Sequence, residues 1–231
     1  MNMYRYILLD IDGTMLNFEA SEDVALRYLF DKYGFGELRE DMKREYIRIN
    51  RGYWEALERK EMTKEQILVG RFHDFFAMYG LDVNKASAFN DDYQIELGNT
   101  AVFERGAEEL VHLLKGKVRV LGATNGTKVA QERKLKLSGL DQILDYTYIS
   151  EDLGYEKPDI RYFEHIFEKE GITDPKKVLI VGDSLSSDIR GGIDAGIDTC
   201  WYNPNGKKVP EDMNITYVIS DLNELKGILG L

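Results

Sequence analysis

The chain has 231 residues, of which 43% are hydrophobic and 31% are charged, as in ordinary soluble globular proteins. Its 41 acidic and 30 basic residues give a formal net charge of −11, which argues against binding to nucleic-acid polymers. No apolar run approaches the ~18 residues that cross a bilayer, and the first strand begins too early for a signal peptide. The single cysteine, Cys200, excludes an internal disulfide. We therefore expect a cytoplasmic protein without membrane attachment.

The first predicted element is a short buried strand at residues 7–9, followed at once by Asp10, Asp12, Gly13 and Thr14. Ligands bind at the carboxyl ends of strands in open α/β sheets. Two carboxylates this close repel each other unless a divalent cation or a shared proton lies between them. Either arrangement favours an active site, and a solvated acidic turn is the alternative.

The next part of the chain shows only helical periodicity, for about eighty residues. Ser21-Glu22-Asp23 predicts the start of a first helix, and Thr63-Lys64-Glu65-Gln66 predicts a capping box that opens a third. No strand pattern interrupts this block. We expect a small helical domain at residues 17–100, inserted into a core domain formed by residues 1–16 and 101–231.

Strands and helices alternate after the predicted insertion. This alternation, with right-handed crossovers, is typical of the α/β fold class, in which helices cover both faces of a parallel sheet. The further strands are predicted at residues 117–123, 146–149, 177–182, 198–202 and 216–219.

Three of these later strands lead into polar residues, as the first strand does. These residues are Thr124 and Asn125, Lys157, and Asp183 with Asp188. All carboxyl ends of a parallel sheet face the same side, so one crevice can collect these side chains with the first two aspartates. Four carboxylates favour a hard divalent cation such as Mg²⁺, whereas the hydroxyl and the lysine favour an anion. Cation and anion together indicate a phosphoryl group held for transfer.

The motifs D-x-D-G-T, T-N-G, K-P and G-D-x-x-x-x-D, in this order, resemble the haloacid dehalogenase (HAD) superfamily of phosphatases. The resemblance runs through nearly the whole chain. It implies a Rossmann-like core with an inserted helical cap of the C1 type. It also implies an enzyme that hydrolyses small phosphate esters with Mg²⁺ as cofactor.

The resemblance also implies a role for each motif residue. Asp10 would be the nucleophile that becomes an aspartyl phosphate, and Asp12 would be the general acid and base. Lys157 would keep Asp10 ionised. The implied Mg²⁺ ligands are Asp10, the Asp12 carbonyl and Asp183, with Asp188 outside them or bound through water. The implied phosphate-binding residues are Thr124, Asn125 and Lys157.

The segments at residues 150–154 and 191–203 are similar to the cytoplasmic pyrimidine 5′-nucleotidase branch, which implies nucleoside 5′-monophosphates as substrates. The sequence departs from that branch at Gly13 and Met15. Other activities remain open: hydrolysis of N-acylneuraminate 9-phosphate or another sugar phosphate, or a phosphomutase reaction. The non-enzymatic alternative is a phosphorylation switch that resembles bacterial receiver domains.

Overall fold

A computed structural model describes residues 4–231. The described residues form two compact units, one of residues 4–18 and 101–231 and the other of residues 19–100. None of the helices in these residues combines the length and apolarity that crossing a bilayer requires.

Six parallel strands form a single sheet in the first unit, in the order β3-β2-β1-β4-β5-β6. The predicted α/β fold class is therefore confirmed. β1 lies in the interior of the sheet, where Leu9 is in register with Gly122 on one side and Val181 on the other. The strands are β1 (Tyr6–Leu9), β2 (Arg119–Thr124), β3 (Tyr146–Ile149), β4 (Val178–Gly182), β5 (Asp198–Tyr202) and β6 (Tyr217–Ile219).

The apolar run of β1 reflects burial on both faces of the sheet. Ile7 and Leu9 pack into one hydrophobic cluster, whereas Leu8 packs into another. Successive side chains of a strand point to opposite faces, so a strand covered on both sides has no polar positions to alternate. Burying each such side chain contributes about 1.5–3 kcal/mol, which fixes the end of β1 in the centre of the sheet.

Ten α-helices are present in the described residues, and the first four lie almost wholly in the helical unit. They are α1 (Phe18–Lys32), α2 (Glu40–Glu58), α3 (Lys64–Tyr79), α4 (Ala86–Gly98), α5 (Ala107–Leu114), α6 (Lys128–Ser138), α7 (Ser150–Leu153), α8 (Ile160–Glu170), α9 (Arg190–Asp194) and α10 (Glu224–Leu229).

The predicted capping box at the start of α3 is present. Thr63 accepts a hydrogen bond from the Gln66 N–H, and the Gln66 side chain accepts one from the Thr63 N–H. The predicted start of α1 at Ser21 is wrong, since α1 begins at Phe18. Ser21 is buried inside the helix, where its hydroxyl donates to the Thr100 carbonyl rather than capping the helix end.

The helical unit contains a buried polar network among its packed aromatic rings. Arg71 donates to the Asn50 side-chain oxygen (2.7 Å), and the Asn50 amide donates to Glu22 (3.1 Å). Tyr93 also donates to Glu22. Burial raises the pKa of the Glu22 carboxyl to about 7, although Arg71 opposes the shift.

Candidate active site

The carboxyl ends of two neighbouring strands, β1 and β4, bring three aspartates together. Asp10 follows β1 directly, and its N–H donates to the Val181 carbonyl of β4 (2.9 Å). Asp183 follows β4, and Asp188 lies five residues further along. One carboxylate oxygen from each of these three lies within 4.8 Å of the others. The sequence predicted this meeting from strands that lie far apart in the chain.

Lys157 supplies the positive charge at the centre of this group and is itself buried. Its ammonium donates to Asp10 Oδ1 (2.7 Å), Asp188 Oδ1 (2.6 Å) and the Ala123 carbonyl (2.6 Å). These three bonds use all three ammonium protons. A phosphoryl oxygen therefore has to replace one of them if it is to bind Lys157 directly.

The pKa shifts show a shortage of positive charge in this crevice. Burial raises the pKa of Asp10 well above its ordinary value, although Lys157 opposes the shift. Burial and the neighbouring Asp188 raise the pKa of Asp183 to about 7. Burial would lower the pKa of Lys157, but Asp10 and Asp188 outweigh it and the pKa is raised. One ammonium among three carboxylates leaves room for a further cation.

Asp183 is fixed from the ends of two other strands. The Thr14 hydroxyl, just after β1, donates to Asp183 Oδ1 (3.3 Å). The Trp201 indole N–H of β5 donates to the Asp183 backbone carbonyl (3.0 Å). Gly13 has φ +88°, and a Cβ there would lie 2.9 Å from Asp183 Oδ2. The departure at Gly13 thus has a physical reason in this chain, because the turn is left-handed and crowded by Asp183.

Asp188 reaches the crevice through a single π-helical turn at Leu185–Ile189, a feature that is frequent at functional sites. Its two oxygens are both hydrogen-bonded, Oδ1 to Lys157 and Oδ2 to the Ser184 N–H (3.1 Å). Gly182 makes this position possible, since a Cβ there would lie 2.2 Å from the Asp188 carboxylate.

Asn125 and Thr124 shape the neighbouring loop after β2. The Asn125 side chain donates to the Lys157 carbonyl and accepts from the Lys157 N–H, both at 2.8 Å. Its amide therefore holds the lysine backbone in place. The buried Thr124 hydroxyl accepts from the Gly126 N–H (3.0 Å) and still has its own proton to donate.

The structure places the Asp12 side chain apart from the three clustered carboxylates. Lys134 Nζ donates to Asp12 Oδ1 (2.6 Å), and Gln131 Nε2 donates to Asp12 Oδ2 (2.6 Å). Sequence reasoning named neither of these partners. The signal available was their spacing of three residues just after T-N-G, which puts two polar side chains on one face of α6.

A parallel sheet that ends in a crevice of carboxylates, an ammonium and a hydroxyl is typical of enzymes that handle phosphoryl groups with a divalent cation. Comparison with known proteins agrees with this class. Residues 4–196 match the family model of the haloacid dehalogenase-like hydrolases. The chain belongs to this family and is a hydrolase of the HAD superfamily.

Several relatives match over nearly the whole chain. The HAD-hydrolase YfnB of Bacillus subtilis is 37% identical over 231 residues, which is 100% of this chain and 97% of that protein. The pyrimidine 5′-nucleotidase PynA of Streptococcus pneumoniae is 34% identical over 98% of this chain and 95% of the length of PynA. The pyrimidine 5′-nucleotidase YjjG of Escherichia coli is 30% identical over 97% of each chain. A crystal structure of YfnB bound to magnesium superposes with a TM-score of 0.93, at 36% identity and 99% coverage of each chain.

Proposed function

We propose that this hydrolase is a Mg²⁺-dependent phosphomonoesterase in which Asp10 carries the phosphoryl group between the two halves of the reaction. The observation that carries the proposal is the position of Asp10. It lies at the end of the interior strand β1, 2.7 Å from the ammonium of Lys157 and within reach of the carboxylates of Asp183 and Asp188. In this proposal the helical unit is the cap domain of the fold.

The residues present fit a magnesium ion. The three clustered side chains offer only oxygen ligands, which Mg²⁺ prefers, and the raised pKa values of Asp10 and Asp183 indicate that a cation belongs there. Asp10 and Asp183 would hold the ion directly, together with the Asp12 carbonyl. Asp188, whose two oxygens already accept hydrogen bonds, would act through a bound water. When bound, the ion supplies positive charge that stabilises the phosphoryl oxygens and keeps the carboxylates ionised.

In the first half of the reaction, an Asp10 oxygen attacks phosphorus while the bond to the ester oxygen breaks. The electron pair of that bond stays on the ester oxygen, which takes a proton from the Asp12 carboxyl and leaves as the alcohol. Lys157 favours the attack because its positive charge opposes protonation of Asp10.

In the second half, water attacks the phosphorus of the aspartyl phosphate and gives a proton back to Asp12. The bond between phosphorus and the Asp10 oxygen breaks, which releases phosphate and restores the carboxylate. In this proposal Thr124 would donate its hydroxyl proton to a phosphoryl oxygen. Lys157 would join it by exchanging the Ala123 carbonyl for phosphate. Asn125 would contribute by holding Lys157 in position.

We further propose that the substrates are pyrimidine nucleoside 5′-monophosphates. Two relatives named pyrimidine 5′-nucleotidases match at least 95% of this chain and of their own length, which supports a shared substrate class. The crevice itself recognises only the phosphoryl end, so it is equally compatible with the other small phosphate esters that the sequence left open.

A phosphate-release assay tests both levels of the proposal. Purified protein with Mg²⁺ should hydrolyse uridine and thymidine 5′-monophosphates at least ~10²-fold more efficiently, by kcat/KM, than adenosine 5′-monophosphate or sugar phosphates. A preference for sugar phosphates would overturn the nucleotide assignment. Turnover that requires a sugar bisphosphate would indicate a mutase, and a stable phosphoprotein without turnover would indicate a switch module.

The chemistry has its own controls. EDTA should abolish phosphate release, and Mg²⁺ should restore it. Asp10→Asn should eliminate turnover while the thermal unfolding midpoint remains measurable. Asp198→Asn is the matched control, because Asp198 lies at the start of β5, at the other end of the sheet's strands. Native turnover in the Asp10 variant would show that Asp10 is not the nucleophile.

A further inference from the structure

Two buried polar side chains of α6 converge on Asp12. Lys134 is 0% exposed and Gln131 is 1% exposed, and they lie one helical turn apart. A buried ammonium is unfavourable unless it is paired, and the carboxylate partner of Lys134 is Asp12. The ring of Phe18 lies 5.1 Å from the same ammonium, which is a favourable cation–π distance. The Asp12 side chain is thus held by side-chain groups that take no part in the backbone hydrogen bonds of the sheet or the helices.

The loop after β2 is shaped to admit the Gln131 side chain. A Cβ at Gly126 would lie 2.2 Å from Gln131 Nε2, so any larger residue there would occupy the space of the amide. Gln131 Oε1 is buried and finds no hydrogen-bond partner among residues 4–231. The amide donates to the Asp12 carboxylate, and half a rotation would present its oxygen to a protonated Asp12 carboxyl. One side chain can therefore hold both forms of Asp12 that the two half-reactions require.

The charges of the crevice fall into two separate groups. Asp12 and Lys134 form a neutral pair, whereas Asp10, Asp183 and Asp188 share Lys157. The second group keeps a formal charge of −2, which one divalent cation balances. Without Lys134, Asp12 would lose its paired ammonium, while the positive charges of Lys157 and the proposed cation would remain in the crevice. The short Asp12 side chain would then turn towards them and away from the leaving group.

We propose that Lys134 and Gln131 are positioning residues that keep the Asp12 carboxyl directed at the leaving-group oxygen. This inference rests on the proposed function. It predicts that these residues matter most where the ester oxygen needs a proton as its bond to phosphorus breaks, and matter least where the leaving group is stable as an anion. The attack by Asp10 does not depend on them.

The experiment compares phenyl phosphate with 2,4-dinitrophenyl phosphate, two similarly shaped esters whose leaving groups differ widely in basicity. The readout is the ratio of their kcat/KM values, which covers only the steps up to cleavage of the first ester bond. In Lys134→Met the ratio of phenyl to dinitrophenyl should fall at least ~10-fold, because general acid catalysis supplies factors of about 10²–10⁴. Lys134→Arg should restore the ratio to within about threefold, because it returns the charge.

Lys136→Met is the matched control, since Lys136 lies on the same helix and is exposed; its ratio should equal that of the wild type. If Lys134→Met fails to fold, Gln131→Ala carries the same test. An equal loss on both esters, or an unchanged ratio, would overturn the positioning role while leaving the proposed function intact. If the wild type with Mg²⁺ hydrolyses neither ester nor any nucleotide, the proposed function is wrong and this inference is wrong with it.

Discussion

Gly182, the last residue of β4, allows a direct test of how the crevice is packed. An ideal Cβ at this position would lie 2.2 Å from Cγ and Oδ2 of Asp188, where ordinary contacts begin at 3.4 Å. Gly182→Ala therefore forces the Asp188 carboxylate to retreat by about 1 Å. The backbone does not contribute, because Gly182 does not have a positive φ and alanine can adopt its conformation.

The retreat breaks the contacts that keep Asp188 buried. Asp188 Oδ1 lies 2.6 Å from the Lys157 ammonium, and Oδ2 lies 3.1 Å from the Ser184 backbone nitrogen. A shift of about 1 Å carries at least one of these two contacts beyond hydrogen-bond range. Breaking one side of a buried ion pair costs about 3–5 kcal/mol. For a chain of this size, the thermal unfolding midpoint falls by about 2–4 °C for each kcal/mol of stability lost, so we expect a fall of roughly 6–20 °C.

Thermal unfolding followed by circular dichroism measures the effect. Gly227→Ala is the control, since Gly227 lies in α10, where an added Cβ would meet nothing within 4 Å, and the change should be neutral or slightly stabilising. Asp188→Gly should remove the clash, because Cβ of Asp188 lies 2.5 Å from the added Cβ and must go as well as the carboxylate, so adding Gly182→Ala to it should cost at least ~1.5 kcal/mol less than in the wild type. A midpoint within about 1 °C of the wild type for Gly182→Ala, or an equal penalty in both backgrounds, would refute this account.

Three further predictions concern other parts of the chain. The pKa of Glu22 is about 7 in the folded protein, against an ordinary value of 4.5 in the unfolded chain. Between these two pH values the folded protein keeps the proton that the unfolded chain has released, so the free energy of unfolding falls as the pH rises from about 4.5 to 7. Glu22→Gln should reduce the fall in unfolding free energy between pH 5 and 8 by about 3 kcal/mol, whereas the exposed Glu19→Gln should not; equal profiles would contradict the shift. Gly126→Ala should lower the unfolding midpoint, and Gln131→Ala should relieve that loss in the double variant, because the new Cβ then meets no amide; additive losses in a double-mutant cycle would disprove the contact. Thr63→Ala should lose the α3 cap and about 1 kcal/mol by chemical denaturation, whereas Thr63→Ser should retain it; identical stabilities would show that the cap contributes nothing.

The parallel sheet was predictable because strong local signals agree with the tertiary structure. The strands at Tyr146–Ile149 and Asp198–Tyr202 have the predicted bounds, and the others differ by one or two residues. Glycine after an apolar helical pattern predicts a helix end, and Gly80 and Gly171 are left-handed at the ends of α3 and α8. The helical turn α7 was not predicted, since its four residues are too few to show a period.

The start of α1 shows where local reasoning fails. Ser21 and Glu22 suit a helix start by residue type, but here both are buried and bonded to residues far along the chain. Tertiary hydrogen bonds thus replace the local ones that a cap would make. For the C-terminal helix, the sequence pattern predicts residues 222–229, but α10 begins two residues later. Here the reason is local, because the Glu224 side chain accepts from the Ser220 and Asp221 N–H groups and the helix begins only there.

The candidate site was predictable as a set of strand-end residues but not as a set of contacts. Strand ends meet by the geometry of a parallel sheet, so the approach of Asp10, Asp183 and Asp188 follows from their motifs. The pairing of Asp12 with Lys134 joins residues 122 positions apart through a helix face. No local pattern specifies which residues such a face meets, so this contact became visible only in three dimensions.

The strand order has a consequence for how the chain folds while it is synthesised on the ribosome. β1 is made first, yet its neighbours in the sheet are β2 and β4, which end at Thr124 and Gly182. At about 5–20 residues per second, the earliest strand waits roughly ten to thirty seconds before both flanks exist. Until β2 has been made, the apolar residues of β1 belong to no sheet, and until β4 has been made one edge of β1 has no partner, while the intervening helices can already pair with their sequential neighbours. Nascent chains of this topology are most exposed to aggregation when synthesis slows or pauses within that interval.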